Sequence, residues 1–282
     1  MSEQIFARRV PLAGGTSIPQ FGLGVFQVES GGTQQVVEQA LEIGYRHIDT
    51  AAAYVNEEGV GAAIQATGIP REEVFVTSKL RNGDQGYESA LTAYADTCRR
   101  LGLDRLDLYL IHWPNPAAGL WQDSWRALAH LAAEGEVAAV GVSNFMTEHL
   151  TELADLSERT PAVNQIELHP TYQQRELADF CRSRGIAVEA YSPLGQAGDL
   201  DHPEVTALAQ RLGVTAAQVI LRWHLDRGHV VIPKTVNPER MRTNADLDHV
   251  ALTDEDLAVI DGLDAGQRIG NDPYTFAKSQ IR

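Results

Sequence analysis

Several polar clusters follow short apolar runs along the 282-residue chain. They are Asp49 with Tyr54 five residues on, Ser78-Lys79, His112-Trp113-Pro114, Ser143-Asn144, Asn164-Gln165 with Glu167, Tyr191-Ser192 and Lys234-Thr235. Together these side chains suit one chemistry. A tyrosine is a poor acid near neutral pH, with an ordinary pKa of about 10. A nearby lysine ammonium favours the phenolate and makes the proton easier to give away. An aspartate would keep that lysine charged and oriented, and a neutral histidine could fix a carbonyl oxygen. The set is a proton-delivery device for an oxygen that turns from carbonyl into alkoxide. It needs a hydride donor. Tyr191 offers a flat ring for stacking a nicotinamide, and Ser143, Asn144 and Gln165 offer partners for its carboxamide. Taken singly, each residue has an ordinary explanation as a helix cap, a solvated charge or a packed core side chain. Their common place at strand ends is what joins them.

Such a ring requires a scaffold that brings many strand ends to one side. Apolar runs at 21–26, 46–49, 74–78, 106–112, 137–143, 162–168, 186–191 and 229–233 read as eight strands. Between and after them, amphipathic patterns predict helices. One is capped by Thr33 and ended by Gly44. Another carries the stripe Leu91, Tyr94, Ala95, Cys98, Leu101. The rest span 57–67, 121–134, 147–156, 173–184, 203–212, 215–227, 238–246 and 254–262. Ahead of these, RRVPLAGGTSIPQ with its Gly14-Gly15 pair predicts a β-hairpin. Strict alternation predicts a parallel sheet, and eight units in this length predict a closed (β/α)8 TIM barrel. It carries an N-terminal hairpin and extra helices before strand 8 and at the C-terminus. One domain, 1–282, is expected. The open doubly wound alternative should show a full GxGxxG after its first strand, and Gly22-Leu23-Gly24 lacks the third glycine.

Composition narrows the function classes. Acids outnumber bases 38 to 23, a net charge of −15. That argues against a general nucleic-acid or anionic-membrane binder. No run approaches the ~20 apolar residues of a membrane span, and MSEQIFARRV does not read as a signal peptide. Cys98 and Cys181 both fall in helical apolar patterns, which fits a reducing, cytoplasmic setting. Segment 233–242 sets Lys234, Arg240 and Arg242 against Glu239 alone, a local cation cluster suited to a phosphate.

The motifs then match a known family. Asp49-Thr50-Ala51, Tyr54, Asn56-Glu57, Lys79, His112-Trp113-Pro114, Gly141-Val142-Ser143-Asn144-Phe145, Asn164-Gln165, Tyr191-Ser192-Pro193-Leu194-Gly195 and Ile232-Pro233-Lys234 resemble, in order and spacing, the signatures of the aldo-keto reductases. ALEIGYRHIDTAA, VNQIELHP and LRWHL carry a closer likeness to bacterial 2,5-diketo-D-gluconate reductases. The resemblance implies a metal-free, monomeric NADPH enzyme that reduces small carbonyl substrates such as keto-sugars, α-dicarbonyls and aldehydes. It implies a catalytic tetrad of Asp49, Tyr54, Lys79 and His112, with Tyr54 as general acid. Ser143, Asn144 and Gln165 would hold the carboxamide, and Tyr191 would stack on the nicotinamide. Ser192, Leu194 and Gly195 would line the pyrophosphate. Lys234, Thr235, Val236 and Arg240 would take the 2′-phosphate, and Asn244 the adenine. Phe26, Tyr54, His112 and Trp113 would wall the substrate. Two positions depart from the pattern: Val55 stands where a glycine is usual, and Arg81 where a tryptophan is frequent.

Other classes fit worse. The histidines are scattered, with no HxH or HExxH, and Gly141-Val142-Ser143-Asn144-Phe145 misses GxSxG at its last position. A glycosidase would need two facing carboxylates. Glu167 and Glu189 are the candidates, and Glu189 lies two residues short of its strand end. The alternative of the same fold is a cofactor-binding regulatory subunit with little turnover.

Overall fold

A computed structural model describes residues 3–278. Residues 1–2 and 279–282 of the expected 1–282 domain lie outside it. The hairpin forms as β1 (Arg9–Pro11) and β2 (Ser17–Pro19), antiparallel. Eight parallel strands follow: β3 (Leu23–Gly24), β4 (His47–Asp49), β5 (Phe75–Leu80), β6 (Leu106–Ile111), β7 (Val137–Ser143), β8 (Val163–Glu167), β9 (Ala187–Tyr191) and β10 (Val230–Val231). Each pairs with its neighbour in sequence, and the Phe21–Val231 bridge closes β10 onto the first strand. The fold is a (β/α)8 barrel.

Eleven helices are described: α1 (Glu3–Ala7), α2 (Ser30–Ile43), α3 (Glu57–Thr67), α4 (Tyr87–Leu101), α5 (Trp121–Ala133), α6 (Thr147–Leu156), α7 (Arg175–Ser183), α8 (Pro203–Leu212), α9 (Ala216–Asp226), α10 (Pro238–Ala245) and α11 (Asp254–Asp261). The extra helix before strand 8 and the one at the C-terminus are α8 and α11. Three expectations need correction. The runs 21–26 and 229–233 pair regularly over only two residues each. They meet at the closure, and Pro233 has no N–H to extend the ladder. Thr33 does not cap α2. The helix starts three residues earlier, and the Thr33 hydroxyl donates to Glu29 O at 2.9 Å. The short α1 was not foreseen.

Strand alternation divides the side chains into two layers. Tyr109, Ile111, Val140, Val142, Ile166, Val188 and Ala190 join the helices in the main core. Leu108, Leu110, Ala139, Val163 and Val230 fill the barrel's lower interior, where Leu12 and Ile18 of the hairpin segment plug the floor. The upper interior is polar: His47, Asp49, Thr77, Lys79, Gln165 and Glu189 are all buried there. A packed floor under a polar mouth restricts chemistry to the C-terminal end. Between α3 and α4 the helices touch closely, and a Cβ on Gly61 would collide with the Leu101 carbonyl. Gly61 belongs to Gly59-Val60-Gly61, which lies inside α3 and serves this packing.

Candidate active site

At the mouth, β4 ends on Asp49 and β5 carries Lys79. The Lys79 ammonium donates to Asp49 Oδ1 at 2.6 Å, Asp49 Oδ2 at 2.8 Å and Thr50 O at 3.0 Å. Its fourth neighbour is the Tyr54 hydroxyl, 3.5 Å away. Burial works against the ammonium, but Asp49 and Tyr54 outweigh it and hold its pKa above the ordinary lysine value. Tyr54 behaves differently from the simple expectation. Burial is the largest influence and pushes its pKa up to about 12, although Lys79 pulls it down. In this state the phenol keeps its proton.

Tyr54 stands at the end of a single 3-10 turn, Ala52–Tyr54. Val55 follows with φ 58°, in the left-handed region that disfavours a β-branched residue. The turn that a glycine would make easily is therefore kept, at the expense of local strain. Asn56 anchors it by accepting from the Thr50 hydroxyl at 2.8 Å and donating to Val25 O at 2.9 Å. Behind the turn, Glu57 accepts from Ser78 at 2.5 Å and Arg100 at 2.6 Å.

His112 follows β6, its ring 5.6 Å from that of Tyr54 in an edge-on arrangement. Burial, and then Lys79, depress its pKa well below the ordinary histidine value, so the ring is neutral. Phe26 packs on Tyr54 at 5.0 Å, and Trp113 packs on Phe276 at 4.5 Å. The Trp113 indole N–H is buried with no hydrogen-bond partner among the described residues. Phe26, Tyr54 and His112 thus form one aromatic chain, and Trp113, next to His112 in sequence, pairs with Phe276. Phe276 was not expected, because nothing in the tail's sequence periodicity marks it.

The amide and hydroxyl partners lie beside this group. Gln165 donates to Asp49 Oδ2 at 2.8 Å. Ser143 donates to Gln165 O at 2.9 Å, and Asn144 donates to His112 O and to Ser143 Oγ, both at 3.0 Å. The Tyr191 hydroxyl donates to Asn144 Oδ1 at 2.8 Å. These four residues and the tetrad form one continuous network. Asn164 is not part of it. It points away from the barrel interior and donates to Phe145 O at 2.8 Å, holding the loop after β7.

Ser192, Leu194 and Gly195 make the turn after β9, closed by Gly195 N donating to Ser192 O at 2.9 Å. After β10 come Lys234, Thr235 and Val236, then α10 with Arg240 and the buried Asn244. Arg240 donates to Thr235 Oγ1 at 3.3 Å. Among the described residues, no carboxylate pairs with Lys234, Arg240 or Arg242, an exposed cation group on a chain of charge −15. Unpaired cations beside a helix N-terminus fit a bound phosphate.

Arg81 is paired in a bidentate contact with Asp84, at 2.7 and 3.0 Å. Both line a groove of about 710 Å³ with Val55, Glu58, Glu88 and Arg100. That groove contains none of the tetrad, so its size does not mark the chemistry.

Glu167 is not a glycosidase carboxylate. It accepts from Ile269 N at 2.6 Å and Gly270 N at 2.7 Å, which holds the C-terminal tail across the mouth. His169 bridges Glu167 at 3.2 Å and Asp199 at 2.8 Å. Burial opposes a charge on this ring, but Asp199 and Glu167 outweigh it and lift its pKa to about 9. With the folded pKa above the ordinary 6.5, this stabilisation is complete below 6.5 and is lost as pH rises through about 9. His169→Asn is expected to cost about 3 kcal/mol at roughly pH 6. The cost should shrink toward roughly pH 10. Urea midpoints of the two proteins across this range check it, and a pH-independent difference would contradict the charged bridge.

The sequence profile of the Aldo/keto reductase family matches residues 20–265. The chain belongs to the aldo/keto reductase family. Its relatives include an aldo-keto reductase of Mycolicibacterium smegmatis, 50% identical over 95% of this chain and 98% of that protein. A glyoxal reductase of Bacillus subtilis is 48% identical over 94% of this chain and 95% of its own length. Among solved structures, the Gox0644 D53A mutant in complex with NADPH superposes with a TM-score of 0.92, at 42% identity, over 95% of this chain and 98% of that one. The aldo/keto reductase fold and its carbonyl-reducing chemistry thus frame the mouth described above.

Proposed function

We propose that this chain is an NADPH-dependent reductase of small carbonyl compounds, with Tyr54 as proton donor. The observation that carries the reading is the buried Lys79 ammonium held between Asp49 and the Tyr54 hydroxyl. NADPH, when bound, supplies the hydride to the carbonyl carbon. Tyr54 gives its proton to the carbonyl oxygen, so the product is the alcohol. Lys79 stabilises the phenolate left behind, and Asp49 keeps Lys79 in place. The neutral His112 ring and the Trp113 indole N–H orient the substrate oxygen, and Phe26 packs beside it. Ser143, Asn144 and Gln165 would hold the carboxamide, and Tyr191 would pack on the ring. Ser192, Leu194 and Gly195 would line the pyrophosphate. Lys234, Thr235, Val236 and Arg240 would take the 2′-phosphate, with Asn244 toward the adenine. Residues 1–282 act as one barrel domain.

α-Dicarbonyls head the substrate list, on the likeness to the glyoxal reductase; keto-sugars and small aldehydes follow. The test monitors NADPH consumption with glyoxal, methylglyoxal, a keto-sugar and a simple aldehyde, with NADH in parallel. Consumption of NADPH with an α-dicarbonyl is expected. NADPH binding without turnover on any carbonyl would favour the regulatory subunit instead.

The cation cluster makes a separate prediction. A charge-assisted hydrogen bond contributes about 1.5–3 kcal/mol. Arg240→Ala should therefore weaken NADPH binding roughly 10- to 100-fold and leave NADH binding nearly unchanged. Fluorescence titration with both cofactors checks it, and equal losses would remove Arg240 from the phosphate site.

A further inference from the structure

A second carboxyl group, Glu189, lies fully buried on β9 beneath the Asp49–Lys79 pair, in register with Gln165 on β8 and Val230 on β10. Gln165 Nε2 donates to Asp49 Oδ2 and to Glu189 Oε2, each at 2.8 Å. An amide nitrogen has two N–H bonds, and both are used. The Gln165 oxygen is therefore the end left for a ligand at the mouth.

The charges around Glu189 decide its state. From β4 it faces His47, whose Nε2 is 3.5 Å from Glu189 Oε1, and Asp49. From β5 it faces Lys79, and β10 contributes only Val230 in register. Tyr54 feels its charge from the mouth. Lys79 is already matched by Asp49, so an ionised Glu189 would be an uncompensated charge in a dry core. His47 could neutralise it only as imidazolium, and burial, then Lys79 and Arg9, push that pKa down to about 3. Burial, then Asp49, lifts the Glu189 pKa to about 8. The proton sits on Glu189.

We propose that Glu189 is a positioning residue of the reductase: as a neutral acid it shares the Gln165 amide with Asp49, turning the Gln165 oxygen toward the cofactor, and its ionisation in alkaline solution slows proton delivery from Tyr54. The proton leaves to solvent, and the second negative charge beside Lys79 makes Tyr54 hold its own proton more tightly. The inference rests on the carbonyl-reductase reading above.

Glu189→Gln and Glu189→Leu test it. Infrared spectra of the cofactor-free wild type should show a protonated-carboxyl stretch at neutral pH. The stretch should titrate away near pH 8 and be absent from E189Q. In turnover, wild-type kcat for reduction should fall about tenfold through one ionisation near pH 8, with carbonyl KM steady. The same ratio in E189Q should stay within about twofold. E189L, which frees one Gln165 N–H, should weaken NADPH binding about tenfold at neutral pH. A wild type without the titrating band, or an E189Q that keeps the alkaline fall, overturns the proposal. So does an E189L that folds and binds NADPH normally. If E189L does not fold, the band and the E189Q profile still decide. A wild type that reduces no carbonyl refutes the functional reading instead, while the band and NADPH titration still judge Glu189.

Discussion

Tyr54→Phe is expected to lower kcat for carbonyl reduction by about 10²–10⁴-fold, the range a positioned general acid contributes. The variant loses only the hydroxyl. The ring keeps its packing against Phe26 and His112, and the turn held by Asn56 is untouched. NADPH affinity should therefore stay nearly intact, because Tyr54 hydrogen-bonds none of the residues assigned to the carboxamide. Stopped-flow NADPH oxidation beside a fluorescence titration of the cofactor separates the two effects. Full turnover in the phenylalanine variant would require another proton donor. His112 is the nearest candidate by position, but it is neutral and burial strongly disfavours its charged form.

Lys79→Met is expected to cost both activity and stability. Lys79 is fully buried and supplies Asp49 with two short hydrogen bonds. Its removal strands a carboxylate in the barrel interior, a change that typically costs about 3–5 kcal/mol. The sign with pH follows from Asp49. Burial already raises the Asp49 pKa against the pull of Lys79, and without the cation it stands further above the unfolded value of about 3.9. The penalty is therefore absent below that value and grows as pH rises above it. The double variant Asp49→Asn, Lys79→Met removes both charges and should regain most of the loss at neutral pH, still without useful turnover. Urea unfolding of the three proteins at two pH values measures this. A single variant as stable as wild type at neutral pH would mean that Asp49 is protonated in the native protein.

The barrel was legible because its signals are local and repeated. Helices end at Gly44, Gly68, Gly102 and Gly213, and the strand 137–143 and helices 57–67, 147–156 and 203–212 have the bounds expected. The two strands at the closure were overextended because pairing there depends on how the sheet bends back, not on residue preference. The polar residues at strand ends were legible as a ring for the same reason: in a barrel, the C-terminal end of every strand faces one mouth. Motif order then assigned the family.

What the sequence determined by itself was this list of side chains and the fold that gathers them, through periodicity, glycine stops and motif spacing. Only the tertiary structure decided which of them share protons. Glu167 and Glu189 both look like spare carboxylates in a strand, yet one holds a tail 102 and 103 residues away and the other shares an amide with Asp49. Phe276 meets Trp113 across 163 residues of chain. Such contacts join distant segments and leave no periodic trace. The dry interior they create, more than the identity of any one residue, moves the pKa values of Tyr54, His112 and Glu189 away from their ordinary ranges.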